Sequence, residues 1–179
     1  MYTWNMPDVF PQSKACFYST DNAEDYFYWQ TGKAVAHIPE CVYFDSKATR
    51  EFLQQHDYLP NNTASLLLSG RLIAFLQQTV PECVAAIPAV IRCKDGNLSG
   101  YYLLHIVKLI AAINEAASSK YSFGVYKSVV YLPEADQGLF IARCLDSTSE
   151  VLVSSELMQQ LRASPYRHLQ FYPCRMQAD

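Results

Sequence analysis

Ala86-Ile87-Pro88-Ala89-Val90-Ile91-Arg92-Cys93, then Lys94-Asp95-Gly96-Asn97, then Tyr101-Tyr102-Leu103-Leu104-His105-Ile106-Val107: this passage decides the class of fold. The first block is apolar, the second supplies turn residues with Gly96 suited to positive φ, and the third returns, so the passage predicts a β-hairpin. Pro88 removes a ladder donor, which predicts an edge position or a strand that starts at Ala89. In the return strand Tyr101, Leu103, His105 and Val107 share one face while Tyr102, Leu104 and Ile106 share the other. Both faces are therefore covered, and the strand belongs near the centre of a sheet.

Outward from the hairpin lie two copies of one cassette. Leu66-Leu67-Leu68-Ser69 opens into Gly70-Arg71-Leu72-Ile73-Ala74-Phe75-Leu76, and Val151-Leu152-Val153-Ser154 opens into Ser155-Glu156-Leu157-Met158-Gln159-Gln160-Leu161. Each reads as a short buried strand, a serine that caps, and an amphipathic helix whose apolar residues fall on one face. Neither serine sits in a G-x-S-x-G elbow, so capping rather than nucleophilic attack is the expectation.

Between the cassettes, Ala111 to Ser119 reads as a short helix or an irregular crossover. Ser128–Leu132 and Leu139–Leu145 read as extended segments, with turn-like, acidic Pro133–Gly138 between them. His168 to Tyr172 reads as a last strand. Residues 1–62 are more irregular and aromatic, with a helix expected over Lys47–Gln55, capped by Asp45 or Ser46, and a turn at Asp57–Asn62. The sum is one α+β domain, a mainly antiparallel sheet with a few short helices packed on it: an aromatic-rich N-terminal part over 1–62 and a regular core over 63–179.

A chain of 179 residues, half of them hydrophobic and thirteen of them tyrosine, can bury a core without metal or disulfide support. A formal charge of -3 argues against a general nucleic-acid binder. The start of the chain has neither the basic residues nor the apolar run of a signal peptide, and Ile106–Ile113 is far shorter than the roughly 20 residues that span a bilayer. A cytoplasmic location is expected, with no membrane partner. The six cysteines are scattered singly, without a C-x-x-C pair, which predicts buried thiols in a reducing compartment.

Chemistry is sparse. His37, His56, His105 and His168 lie far apart in sequence without metal-like spacing, and a Cys93–His105 dyad is no more specific than one built on Cys83, Cys144 or Cys174. Glu134 and Asp136 read as solvated turn carboxylates. No cofactor or metal is expected. Asp21, Glu24 and Asp25, by contrast, adjoin the aromatic run Tyr26-Phe27-Tyr28-Trp29. Aromatic anchors beside a charged rim suit a protein interface, and the acidic groups suit a basic cleft. Asp21, Glu24, Asp25, Tyr26, Tyr28 and Trp29 are the candidate partner-binding residues; the alternative is that alternate aromatics bury in the core while the acids stay wet.

Several short motifs in order resemble the immunity protein eleven family, the Myxococcus-type immunity proteins of bacterial polymorphic-toxin systems. They are His56-Asp57-Tyr58-Leu59-Pro60, Leu68-Ser69-Gly70-Arg71-Leu72, Ile87-Pro88-Ala89-Val90-Ile91, Tyr101 through Val107, Gly138-Leu139-Phe140-Ile141, and Val151 through Leu157. The resemblance implies a cytoplasmic, non-enzymatic inhibitor that binds a cognate toxin domain, carried on Rhs-type or other proteins delivered by contact-dependent or type VI machinery, and blocks its active site. Two other classes stay open: a small hydrolase that reverses a toxin's modification, and a cytoplasmic adaptor. A pocket holding a titratable pair would favour the first, and a gene isolated from any toxin the second.

Overall fold

A computed structural model describes residues 1–32 and 38–177. Its strands, in chain order, are β1 (Tyr2–Asn5), β2 (Phe17–Tyr18), β3 (Val42–Asp45), β4 (Tyr58–Leu59), β5 (Leu66–Ser69), β6 (Val84–Cys93) and β7 (Gly96–Ile106). They continue as β8 (Leu109–Ile110), β9 (Ser119–Lys120), β10 (Tyr126–Ser128), β11 (Ile141–Cys144), β12 (Ser147–Val153) and β13 (Gln170–Pro173). Helices α1 (Arg50–Leu53), α2 (Gly70–Thr79) and α3 (Ser155–Ala163) complete an α+β fold.

The hairpin forms as its sequence requires. β6 and β7 pair antiparallel around the Lys94–Asp95 turn, and Gly96 takes φ +122. β7 lies inside a six-stranded sheet of order β2-β3-β6-β7-β5-β4, with Leu103 buried towards one cluster and Leu104 and Ile106 towards another. Pro88 neither starts nor ends the strand. It pairs with Tyr102 on one side only, because parallel pairing with β3 begins one residue later at Val42↔Ala89, so the missing N–H costs no ladder bond.

The two outer strands of this sheet meet. Cys16, leading into β2, bridges Asn61 beyond β4; its N–H donates to the Pro60 carbonyl at 2.9 Å, and the Tyr18 N–H donates to Asn62 Oδ1 at 2.8 Å. The sheet thus closes into a small barrel filled by Trp29, Phe44, Leu67, Ile87, Ile91 and Leu103. Closure removes the open edges through which strands of other chains could add.

Against the outside of the barrel packs a five-stranded sheet of order β13-β1-β12-β11-β8. Trp4, Val151 and Val153 from that sheet, Leu66 and Leu104 from the barrel, and the helices α2 and α3 share one core cluster. Both cassettes appear as expected, β5 into α2 and β12 into α3, with Leu72, Ile73 and Leu76, and Leu157, Met158 and Leu161, buried. Ser154 caps α3, its Oγ accepting from the Leu157 N–H at 3.2 Å. Ser69 does not cap α2; its hydroxyl donates to Asp57 Oδ1 at 2.5 Å instead.

Several expectations need correcting. Residues 1–62, expected to be irregular, supply β1, an interior strand of the second sheet, and β2, β3 and β4 of the barrel. The helix near residue 50 is only four residues long and is capped by Thr49 rather than Asp45 or Ser46. The turn expected at Asp57–Asn62 contains β4. Of the two readings offered for residues 111–119, the irregular crossover holds as far as Ser119, where β9 begins; it starts a β-arm that leaves the core at Ala112 and Ile113 and returns at Val130 and Tyr131. Asp136 is not simply solvated: it accepts from the Met1 amine and from the Ser155 N–H at 2.9 Å.

Candidate protein-interaction surface

Asn22 is one of several side chains that tie the acidic and aromatic segment 19–30 to the barrel wall. Asn22 accepts from the Tyr43 N–H at 2.7 Å and donates to the Tyr43 carbonyl at 2.9 Å, standing in for a strand neighbour along β3. Asp25 then caps a short 3-10 helix, Tyr26–Gln30, its carboxylate accepting from the Phe27 N–H at 2.8 Å. With three residues per turn, Phe27 and Trp29 fall on different sides of this helix, so the two rings do not go in together. Trp29 goes in. It is fully buried against His105, and its Nε1–H donates to the Tyr18 hydroxyl at 2.8 Å.

Of the six candidate residues, Trp29 is therefore corrected: it anchors the segment to the barrel and presents no surface to a partner. Asp21 is exposed but engaged, its carboxylate 2.6 Å from Arg92, whose guanidinium also lies over the Tyr43 ring. Glu24 and Asp25 are exposed, and Tyr26 and Tyr28 are half-buried. Phe27 completes the outer face with 59% of its surface exposed and its ring 4.2 Å from that of Tyr26. Beside them is a cleft of about 540 Å³ bounded by Tyr18, Asn22, Glu24, Tyr26 and Asn62. Alternation in the sequence could not separate Phe27 from Trp29, because the segment turns every three residues rather than every two.

The residues that resemble catalytic groups are otherwise occupied. Cys93 lies opposite Gly96 at one end of the hairpin, and His105 lies opposite Ala85 at the other, roughly 25–30 Å away at the rise of a strand. Burial pushes the thiols of Cys16 and Cys174 up to about 12 and raises those of Cys83, Cys93 and Cys144, which keeps them protonated. His56 and His168, distant in sequence, lie together with ring centroids 4.3 Å apart and planes tilted by 30°; burial and the neighbouring His168 lower the affinity of His56 for a second proton. His37 lies outside the described residues. Among the described residues, no group of three or more His, Cys, Asp or Glu side chains is placed to hold a metal ion, and no helix is long and apolar enough to cross a membrane.

Two sequence motifs that carried the resemblance meet at one buried carboxylate. Asp57 accepts from Arg71 Nε at 2.6 Å and Nη2 at 2.5 Å, from the Ser69 hydroxyl, and from the Arg167 N–H at 2.8 Å. Burial alone would raise its pKa, but these donors outweigh burial and hold the carboxyl below its ordinary value. The motif residues thus fasten β4 to the start of α2 and to the segment before β13, with Asp57 buried and the Arg71 side chain exposed.

A closed barrel backed by a second sheet, with the Asp57 carboxylate satisfied inside it, defines a single-domain α+β scaffold. The chain belongs to the Immunity protein family (Imm11), whose model matches residues 8–176. The match extends through the N-terminal third, as the placement of β2, β3 and β4 in the barrel requires. A search of curated proteins found no match.

Proposed function

We propose that the chain is a cytoplasmic, non-enzymatic immunity protein that binds a cognate secreted toxin, of the kind delivered on Rhs-type proteins or by contact-dependent or type VI machinery, and occludes its active site. The observation that carries this reading is membership of the immunity family across nearly the whole chain. The thiols held protonated by burial fit the same reading, since inhibition by binding needs affinity and no nucleophile. Glu24, Asp25, Tyr26, Phe27 and Tyr28 form the toxin-facing surface, with Asp21 at its edge; their carboxylates suit a basic cleft and their rings supply the apolar anchors. Tight inhibition calls for an interface of about 1,600 Å² in total, so these residues are one part of a larger footprint.

The test is stoichiometric. Co-expression with the toxin encoded beside this gene restores growth, and purified toxin loses activity in a titration that breaks at one inhibitor per toxin. Full protection at far lower ratios would mean turnover and would favour the hydrolase reading. Exchanging Glu24→Lys together with Phe27→Ala weakens binding without unfolding the chain; unchanged affinity would remove this segment from the interface.

A further inference from the structure

The β-arm between β8 and β11 serves no evident structural purpose at its tip. Its base is anchored: Ile113 bridges Tyr131, the Asn114 N–H donates to the Val130 carbonyl at 2.8 Å, and Ala112, Ile113, Val130 and Tyr131 are buried. Among the described residues, its outer half, β9 and β10, pairs with itself and belongs to neither large sheet. At the tip, Tyr121, Phe123 and Val125 are 47%, 73% and 58% exposed. A sheet-forming protein gains nothing by itself from three large apolar groups held in water within five residues.

The tip is also held in shape. The Tyr121 N–H donates to the Val125 carbonyl at 2.8 Å, and Gly124 takes φ +89, a conformation that L side chains rarely adopt. The rings of Tyr121 and Phe123 stack with centroids 5.2 Å apart and planes within 3°. Lower down, Glu115 accepts from Lys120 at 2.8 Å and from the Tyr126 hydroxyl at 3.2 Å. An ordered, convex apolar tip loses little conformational freedom when it is buried by a partner.

Charge tells what kind of partner it fits. The cleft of about 390 Å³ beside the arm is lined by Glu115, Asp146 and Glu150 against a single cation, Lys120, which is engaged with Glu115. Lys127, at the register shift between Tyr126 and Ser128 of β10, adds at most a second cation, so three carboxylates still outnumber the bases. The surroundings of the tip are therefore net negative, as is the segment around Glu24 and Asp25.

We infer that the arm is a wedge that enters a cleft of the toxin domain, a cleft with apolar walls and a rim of lysine and arginine, as expected of an enzyme that acts on an anionic substrate. The inference rests on the immunity reading above. Its test uses the full-length chain and the toxin domain encoded beside the gene, with a catalytic residue of the toxin disabled. The pair Tyr121→Ala and Phe123→Ala weakens binding about 100-fold, the scale of a lost hot spot, with the unfolding curve unchanged because both rings are exposed. Asp146→Lys weakens it about ten-fold and flattens its dependence on salt. Affinity of the double variant within about two-fold of the native chain would overturn the wedge while leaving immunity intact. No binding by the native chain would overturn the immunity reading itself. A homodimer that the double variant dissolves would assign the tip to a second copy of this chain and also overturn the wedge.

Discussion

Replacing Asp57 by asparagine removes one negative charge from the lock that joins β4, α2 and the segment before β13. The native carboxylate accepts four hydrogen bonds, from Ser69, from the Arg167 N–H and twice from Arg71. Asparagine keeps one acceptor oxygen of the two and turns the other position into a donor that faces donors. Hydrogen bonds to a charged group contribute about 1.5–3 kcal/mol each, but the Arg71 side chain is 55% exposed, so its share is screened towards the value of a surface ion pair, below about 1 kcal/mol. The remaining loss, at the buried Ser69 hydroxyl and Arg167 N–H, sets the expected destabilisation at about 2–3 kcal/mol. For a chain of this size that is a fall in Tm of about 5–10 °C. Urea unfolding at pH 7 measures it, and a pH series adds a second reading. Because the folded-state pKa of Asp57 lies below its ordinary value, the carboxylate's contribution is fully present above about pH 4 and is lost as pH falls through the folded pKa. The asparagine variant should therefore lose less stability on acidification than the native chain. A cost under about 1 kcal/mol at pH 7, or identical acid limbs, would refute the view that Asp57 holds these elements together.

Other substitutions separate structure from surface. Trp29→Ala should cost about 3–5 kcal/mol, because the indole fills the barrel; a stable variant that had lost only toxin binding would contradict its placement. Ser154→Ala should cost about 1–2 kcal/mol in urea, since its Oγ accepts from both the Leu157 and Phe140 N–H groups. Ser69→Ala should lower stability through Asp57 rather than through α2, so its effect should shrink in an Asp57→Asn background, as a double-mutant cycle would measure. Asp136, which also has a lowered pKa because the Met1 amine and Ser155 outweigh its burial, should add to the same loss below about pH 4, and Asp136→Asn should reduce the acid sensitivity seen by circular dichroism.

The parts of the fold that were legible in the sequence are those with a repeating period. β6 alternates from Ile87 to Ile91, β7 is an apolar run from Tyr101 to Ile106 with both faces covered, and α2 and α3 each carry an apolar face, so their type and burial could be read. β2, β4 and β8 are two residues long, too short to hold a period, and the contacts that define them come from elsewhere: Cys16 from Asn61, and Leu109 and Ile110 from β11. The candidate surface was legible as composition but not as orientation. Acids beside aromatics marked the segment, yet only the 3-10 turn capped by Asp25 sends Trp29 inward and Phe27 out. The arm was missed for another reason: Tyr121, Phe123 and Val125 alternate around Gly124 like core residues, and nothing in that pattern announces that no core lies beneath them.

The position of β1 gives synthesis a timetable. Thr3 pairs with Leu152 on one side and with Tyr172 on the other, so the strand made first finds its neighbours among those made last. At about 5–20 residues per second, a ribosome takes roughly 7–30 s to travel from β1 to β12, and during that interval both edges of β1 are bare. The barrel, whose strands all lie before residue 107, can close in the meantime. A nascent chain stalled after the barrel would carry a finished half and an orphan strand, the kind of species that chaperones hold and proteases clear.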